Sequence, residues 1–176
     1  MDAGHLQSKK PQSPLAGSYG HPIHPIMITV PIGAWVCSLV FDFVSYGSSE
    51  PRTWSVGAMW LVLLGVLGAA AAAIFGVLDL LNLPHGTAAF NTGRIHAALN
   101  STALVIFLVG FIWRFRTQDS WDAAPVGPLV LSIIGIAVVG ASGYLGGKLS
   151  YHYGVRVADE SVQAEGFGAS TTTGRS

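Results

Sequence analysis

The chain has 176 residues, of which 51% are hydrophobic and 10% charged, and nine basic residues balance nine acidic ones. Soluble domains carry roughly a quarter charged residues, so this composition, with a mean hydropathy of +0.51, is that of a membrane protein. It excludes a basic nucleic-acid surface, and the single cysteine, Cys37, excludes an intrachain disulfide or a cysteine-only metal site.

Residues 1–20 hold Asp2, Lys9, Lys10, Pro11, Pro14 and Gly17 without periodicity and read as a disordered cytoplasmic tail. The apolar run that follows starts too late and is too long for the core of a signal peptide. Four apolar segments then cover about Ile26–Tyr46, with Asp42 near its end, about Val56–Leu81, with Asp79 as its one charge, about Ile95–Trp113, and about Pro125–Gly147. Each is close to the ~20 residues a helix needs to cross ~30 Å of hydrocarbon. The period-two alternation of a membrane barrel is missing. Short polar links at 46–52, 82–93 and 114–124 favour antiparallel neighbours. The expected fold is therefore an all-α integral membrane protein, an antiparallel bundle of four transmembrane helices over residues 21–157, with a second disordered tail at 158–176.

Orientation follows from the basic residues. Lys9, Lys10, Arg94, Lys148, Arg156 and Arg175 fall on the side of the tails, against Arg52, Arg114 and Arg116 on the other. That excess predicts both termini in the cytoplasm. Small residues recur every fourth position at Gly65, Ala69 and Ala73, at Gly68, Ala72 and Gly76, and at Gly143 and Gly147, a pattern that lets helices pack closely or chains associate. The chain also reads as a duplicated hairpin. Gly68, Ala73, Gly76 and Leu78 align with Gly135, Gly140, Gly143 and Leu145, and His24, Thr29 and Ile32 with His96, Ser101 and Leu104. Parallel repeats of this kind are related by an axis along the membrane normal, which puts His24 and His96 at one level.

The segment His21-Pro22-Ile23-His24-Pro25 opens the first helix, and by connectivity His21, His24, His85, His96, His152 and Asp79 all fall on the tail side. His96, Asn100 and Ala103 share one helical face, which should point into the bundle because polar groups are costly against lipid. Asp79 should do likewise, with His96, Arg94 or Lys148 as partner. Four chemistries suit this cluster. His24 and His96 can serve as axial ligands of a b-type haem; His24, Asp79, His96 and His152 offer the N and O donors of a transition-metal site; the histidines can form a proton-accepting site; or the cluster is a network locking helix ends, with Arg94, Asn100 and Lys148 as structural polar residues. Asp42 lies roughly 27 Å from His24 along a helix and belongs to the opposite end. There Arg52, Arg114 and Arg116 are available to neutralise it in a structural ion pair, and Trp54, Trp60, Trp113 and Trp121 form an aromatic belt. No hydrolase or nucleotide-binding motif supports a soluble-type enzyme.

The ordered set His21-Pro22-Ile23-His24-Pro25, Pro31-Ile32-Gly33, Phe41-Asp42, Gly76-Val77-Leu78-Asp79, Arg94-Ile95-His96 with Asn100, and Gly143-Tyr144-Leu145-Gly146-Gly147-Lys148-Leu149 through Tyr151 and Gly154-Val155 resembles the bacterial membrane-protein family called domain of unknown function 2231. The resemblance covers about residues 21–157. It implies a module of the bacterial cytoplasmic membrane in a redox neighbourhood, because relatives occur joined to Rieske-type iron–sulfur or cytochrome-like domains. A redox protein or respiratory complex is the implied partner, and a stand-alone enzyme is not expected. One cysteine cannot ligate a Rieske centre, so an electron-transfer role here requires a bound haem or a separate partner.

Overall fold

The computed structural model describes residues 3–10 and 22–167. Its helices are α1 (Ala3–Lys9), α2 (Ile23–Met27), α3 (Thr29–Gly47), α4 (Pro51–Leu81), α5 (Ala88–Thr117), α6 (Val126–Gly147) and α7 (Glu160–Glu165), with no strand among the described residues. Four spans are long and apolar enough to cross a membrane: Ile23–Gly47, Pro51–Leu81, Ala88–Ser120 and Val126–His152. The first is interrupted at Ile28 because Pro31 has no N–H to offer the Met27 carbonyl.

The helices run further than their apolar cores. Pro51 starts α4, where a missing N–H costs nothing. The side chain of Thr87 accepts the Phe90 N–H at 3.1 Å and starts α5 well before Ile95. At its other end α5 passes Trp113 and so carries Arg114 inside the helix. Gly146 and Gly147 do not end α6, which continues as a π-helical turn over Lys148–His152, with the Tyr153 N–H donating to the Lys148 carbonyl at 3.1 Å. Gly154, at φ +68°, then turns the chain away.

Burial is arranged for lipid. The interior holds Ser38, Ser45, Ser55, Ser132, Ser142, Ala58 and Ala103, whereas Val40, Leu67, Ile74, Val105 and Ile133 face outward. Small interior residues let backbones approach where apolar burial offers no advantage over lipid. Helix α3 packs on α4 and α5 on α6 as two hairpins, and contacts of α4 with α5 and α3 with α6 close the ring.

The two hairpins repeat one set of contacts in a constant register. A Cβ at Gly65 would collide with the Trp35 indole, and one at Gly135 would lie 2.6 Å from Phe107. Gly57 faces Phe41 as Gly127 faces Trp113, and Gly76 faces His24 as Gly146 faces His96. The duplication expected from sequence is therefore present, and His24 with His96 is its correct register for the first and third spans. The register of the second and fourth spans differs by about one helical turn from the expected one: Gly76 corresponds to Gly146, and Gly65, rather than Gly68, to Gly135.

Equivalent residues meet on the axis between the hairpins. The His24 and His96 ring centroids are 6.3 Å apart, edge to face. Trp35 and Phe107 stack at 4.0 Å with planes 9° apart. Arg114 donates from Nη1 to Asp42 Oδ1 at 2.7 Å and from Nη2 to Oδ2 at 2.6 Å, and both side chains are 0% exposed. Of the three arginines available to Asp42, Arg114 is the one used.

Both tails contain order. Where residues 1–20 were expected to be disordered, α1 is docked: the Asn82 amide donates to the Gln7 and Lys10 carbonyls, the Arg156 N–H donates to the Ser8 carbonyl at 3.1 Å, and the Lys9 ammonium contacts Glu160 at 3.3 Å. In the stretch 158–176, likewise expected to be disordered, α7 is capped by Asp159, which accepts the Ser161 and Val162 N–H groups. Seven residues make too short a helix to hold itself, so α1 depends on these contacts.

Removing one member of a buried ion pair costs ~3–5 kcal/mol because the other charge is stranded. Arg114→Leu should therefore sharply lower the thermal unfolding temperature in detergent. The exchanged pair, Asp42→Arg with Arg114→Asp, should regain more than half of that loss, since the two positions are equivalent.

Candidate functional site

Each histidine is held by a carbonyl that its neighbouring helix leaves bare. Side chains on a helix lean toward its N-terminus over the preceding turn, so a residue covers the carbonyl four positions before it. Gly76 covers nothing, and the Ala72 carbonyl accepts a hydrogen bond from His24 Nδ1 at 2.9 Å. Gly146 does the same for Ser142, whose carbonyl accepts from His96 Nδ1 at 2.8 Å. An added Cβ at either glycine would stand 3.0 Å from the ring.

A carbonyl only accepts, so both Nδ1 atoms carry the proton and both Nε2 atoms present a lone pair when the rings are neutral. The two lone pairs are treated differently. His96 Nε2 accepts from the Asn100 amide at 3.0 Å, confirming the shared face of these residues. His24 Nε2 has no hydrogen-bond partner among the described residues. The Ser142 hydroxyl further ties down His96, lying 3.0 Å from Nδ1 and donating to the His96 carbonyl at 3.2 Å.

Asp79, expected to point into the bundle with His96, Arg94 or Lys148 as partner, has Arg156 as its partner. Its Oδ1 is 3.1 Å from Arg156 Nε, the two side chains being 16% and 7% exposed. Arg156 reaches it from a left-handed backbone conformation, φ 60°, that L residues adopt at a cost. Arg94 is instead exposed, its guanidinium 6.0 Å from the Phe90 ring, and the Lys148 ammonium lies 5.5 Å from the Tyr153 ring. His152 is exposed on the π-helical turn with its ring against Tyr153, and His85 leans on Phe90. His21 lies outside the described residues. The four-donor metal set His24, Asp79, His96 and His152 is thus not assembled: Asp79 is paired with Arg156, and His152 is exposed against Tyr153. Among the described residues no group of three or more His, Cys, Asp or Glu has metal-holding geometry.

Two imidazoles bound to one metal across bonds of ~2 Å each have ring centroids about 6 Å apart; the His24 and His96 centroids are 6.3 Å apart, with the ring planes crossed at 87°. Anchoring of the distal N–H on a backbone carbonyl is the usual support of a ligating histidine. As a donor set, two nitrogens suit a group that brings its own equatorial ligands, as haem does, and fall short of what a bare transition ion takes. Below the pair, the Trp35–Phe107 stack closes the axis toward the far end.

Sequence reasoning located His24, His96 and Asn100 and missed Gly76, Gly146, Ser142 and Arg156 as parts of the site. Gly76 stood out as small-residue spacing and Gly146 only as part of the Gly143–Leu149 motif, and the signal that separates them is a glycine four residues after the carbonyl that a histidine must reach. No curated protein and no solved structure matches the chain. A family model does, over residues 20–159, and with its four candidate spans and the histidine motifs falling within that match, the chain belongs to the family described as predicted membrane protein (DUF2231).

Proposed function

We propose that the protein is a redox-associated membrane module in which His24 and His96 supply the two axial nitrogens of a b-type haem. The observation that carries this reading is the pair itself: two imidazoles on the axis between the hairpins, each with its Nδ1–H donated to a helix carbonyl. When bound, haem supplies one-electron transfer. The chain's own residues fix the tautomer of each ring through Ala72 and Ser142, and the aromatic stack screens the pair from the opposite face. A redox protein or respiratory complex is the corresponding partner. A purely structural role has one observation in its favour, that the same bonds join α2 to α4 and α5 to α6.

The histidine end faces the cytoplasm in this reading. Lys9, Lys10, Arg94, Lys148 and Arg156 lie there, against Arg52, Arg114 and Arg116 toward the other end. In a Cys37→Ser background, Ser161→Cys should react with an impermeant thiol reagent only from the cytoplasmic side, and Asp119→Cys only from the other.

Protein purified from haem-supplemented cells should show a Soret band that is lost in His24→Ala and in His96→Ala. Gly146→Val, which covers the Ser142 carbonyl, should weaken it. Colourless protein, or pigment retained in both histidine variants, would leave the helix-locking role in its place.

A further inference from the structure

The two histidines occupy equivalent places, yet their surroundings break the equivalence at particular positions. Where the second half has Asn100 the first has Ile28, the residue at the helix interruption, and where the second has Ser142 the first has Ala72. His96 sits within the continuous α5 with both ring nitrogens hydrogen-bonded. His24 sits on the five-residue α2, bonded through Nδ1 alone among the described residues.

We infer that Asn100 is a positioning residue that makes the histidines unequal: the site forms its first ligand bond at Nε2 of His24, and Nε2 of His96 becomes available once the Asn100 amide turns aside. A lone pair that already accepts an amide N–H must give up that bond before it takes another. One that accepts nothing gives up only its solvent. The order of ligation rests on the haem reading above, but the inequality belongs to the chain without any ligand and is measured there.

Diethyl pyrocarbonate, which acylates the unprotonated nitrogen of an imidazole, is the probe, applied to the full chain in detergent with peptide mass spectrometry as readout. His24 should be acylated about five- to ten-fold faster than His96, the scale of one neutral hydrogen bond. Asn100→Leu preserves bulk and removes the donor, so a merely space-filling role for Asn100 would leave His96 as slow as before. It should bring His96 within about two-fold of His24 and leave the His24 rate unchanged, and the conservative Asn100→Gln should restore part of the protection.

Equal rates in the wild type, or a His96 rate unmoved by Asn100→Leu, would overturn the assignment. If Asn100→Leu fails to fold, 15N spectra of the histidine-labelled wild type decide: a hydrogen-bonded Nε2 at His96 and an unbonded one at His24 give distinct resonances, and coincident ones overturn the inference. Colourless protein with unequal labelling removes the haem and keeps this assignment. Pigmented protein with equal labelling does the reverse.

Discussion

A bilayer interior has no water to solvate a charge, so Asp42 and Arg114 must solvate each other, and their two parallel hydrogen bonds do so with Ser132 Oγ 3.4 Å from Nη2. A bidentate fork has one geometry. Reaching across from α3 to α5, it fixes the distance between the hairpins and the rotation of each about its own axis. Two helical turns along the same face, that rotation brings Trp35 and Phe107 into register, and their near-parallel stack fills the middle of the bundle. The histidine end inherits its alignment from these layers.

The chemistry at that end is made largely of backbone. A carbonyl inside a helix is ordinarily covered by a later side chain, and glycine at two equivalent positions uncovers one on each hairpin. The same absence of a side chain that lets helices approach thus supplies an acceptor to an imidazole. Packing and hydrogen bonding are here one feature read at two distances. Because each carbonyl lies on a long continuous helix, the rings are referred to rigid elements although α2 itself is only five residues long.

Apolar run length made the four spans legible, and the cost of a lone carboxylate in lipid made a basic partner for Asp42 a necessity. Matching His24, Thr29 and Ile32 to His96, Ser101 and Leu104 placed the histidines together before any coordinates. Other parts carry no local signal. Gly- and Ala-rich helices align at several offsets, so the register of the second and fourth spans required the aromatic rings that fill their notches. Arg156 meets Asp79 only through a left-handed turn after a π-helical one, and nothing in Gly-Val-Arg-Val announces either. Helix α1 lacks the length to declare it; its order comes from carbonyls that it and Lys10 offer to Asn82 and Arg156.

Opposite charges at equivalent positions also govern what the halves can do apart. Two copies of the first hairpin, assembled about the same axis, would bring two Asp42 carboxylates face to face, and two copies of the second would oppose two Arg114 guanidinium groups. Either arrangement sets like charges against each other, whereas one hairpin of each kind pairs Asp42 with Arg114. The chain is in effect an obligate heterodimer of hairpins joined by the short link between α4 and α5, and covalent connection enforces a one-to-one stoichiometry that separate synthesis would leave to chance.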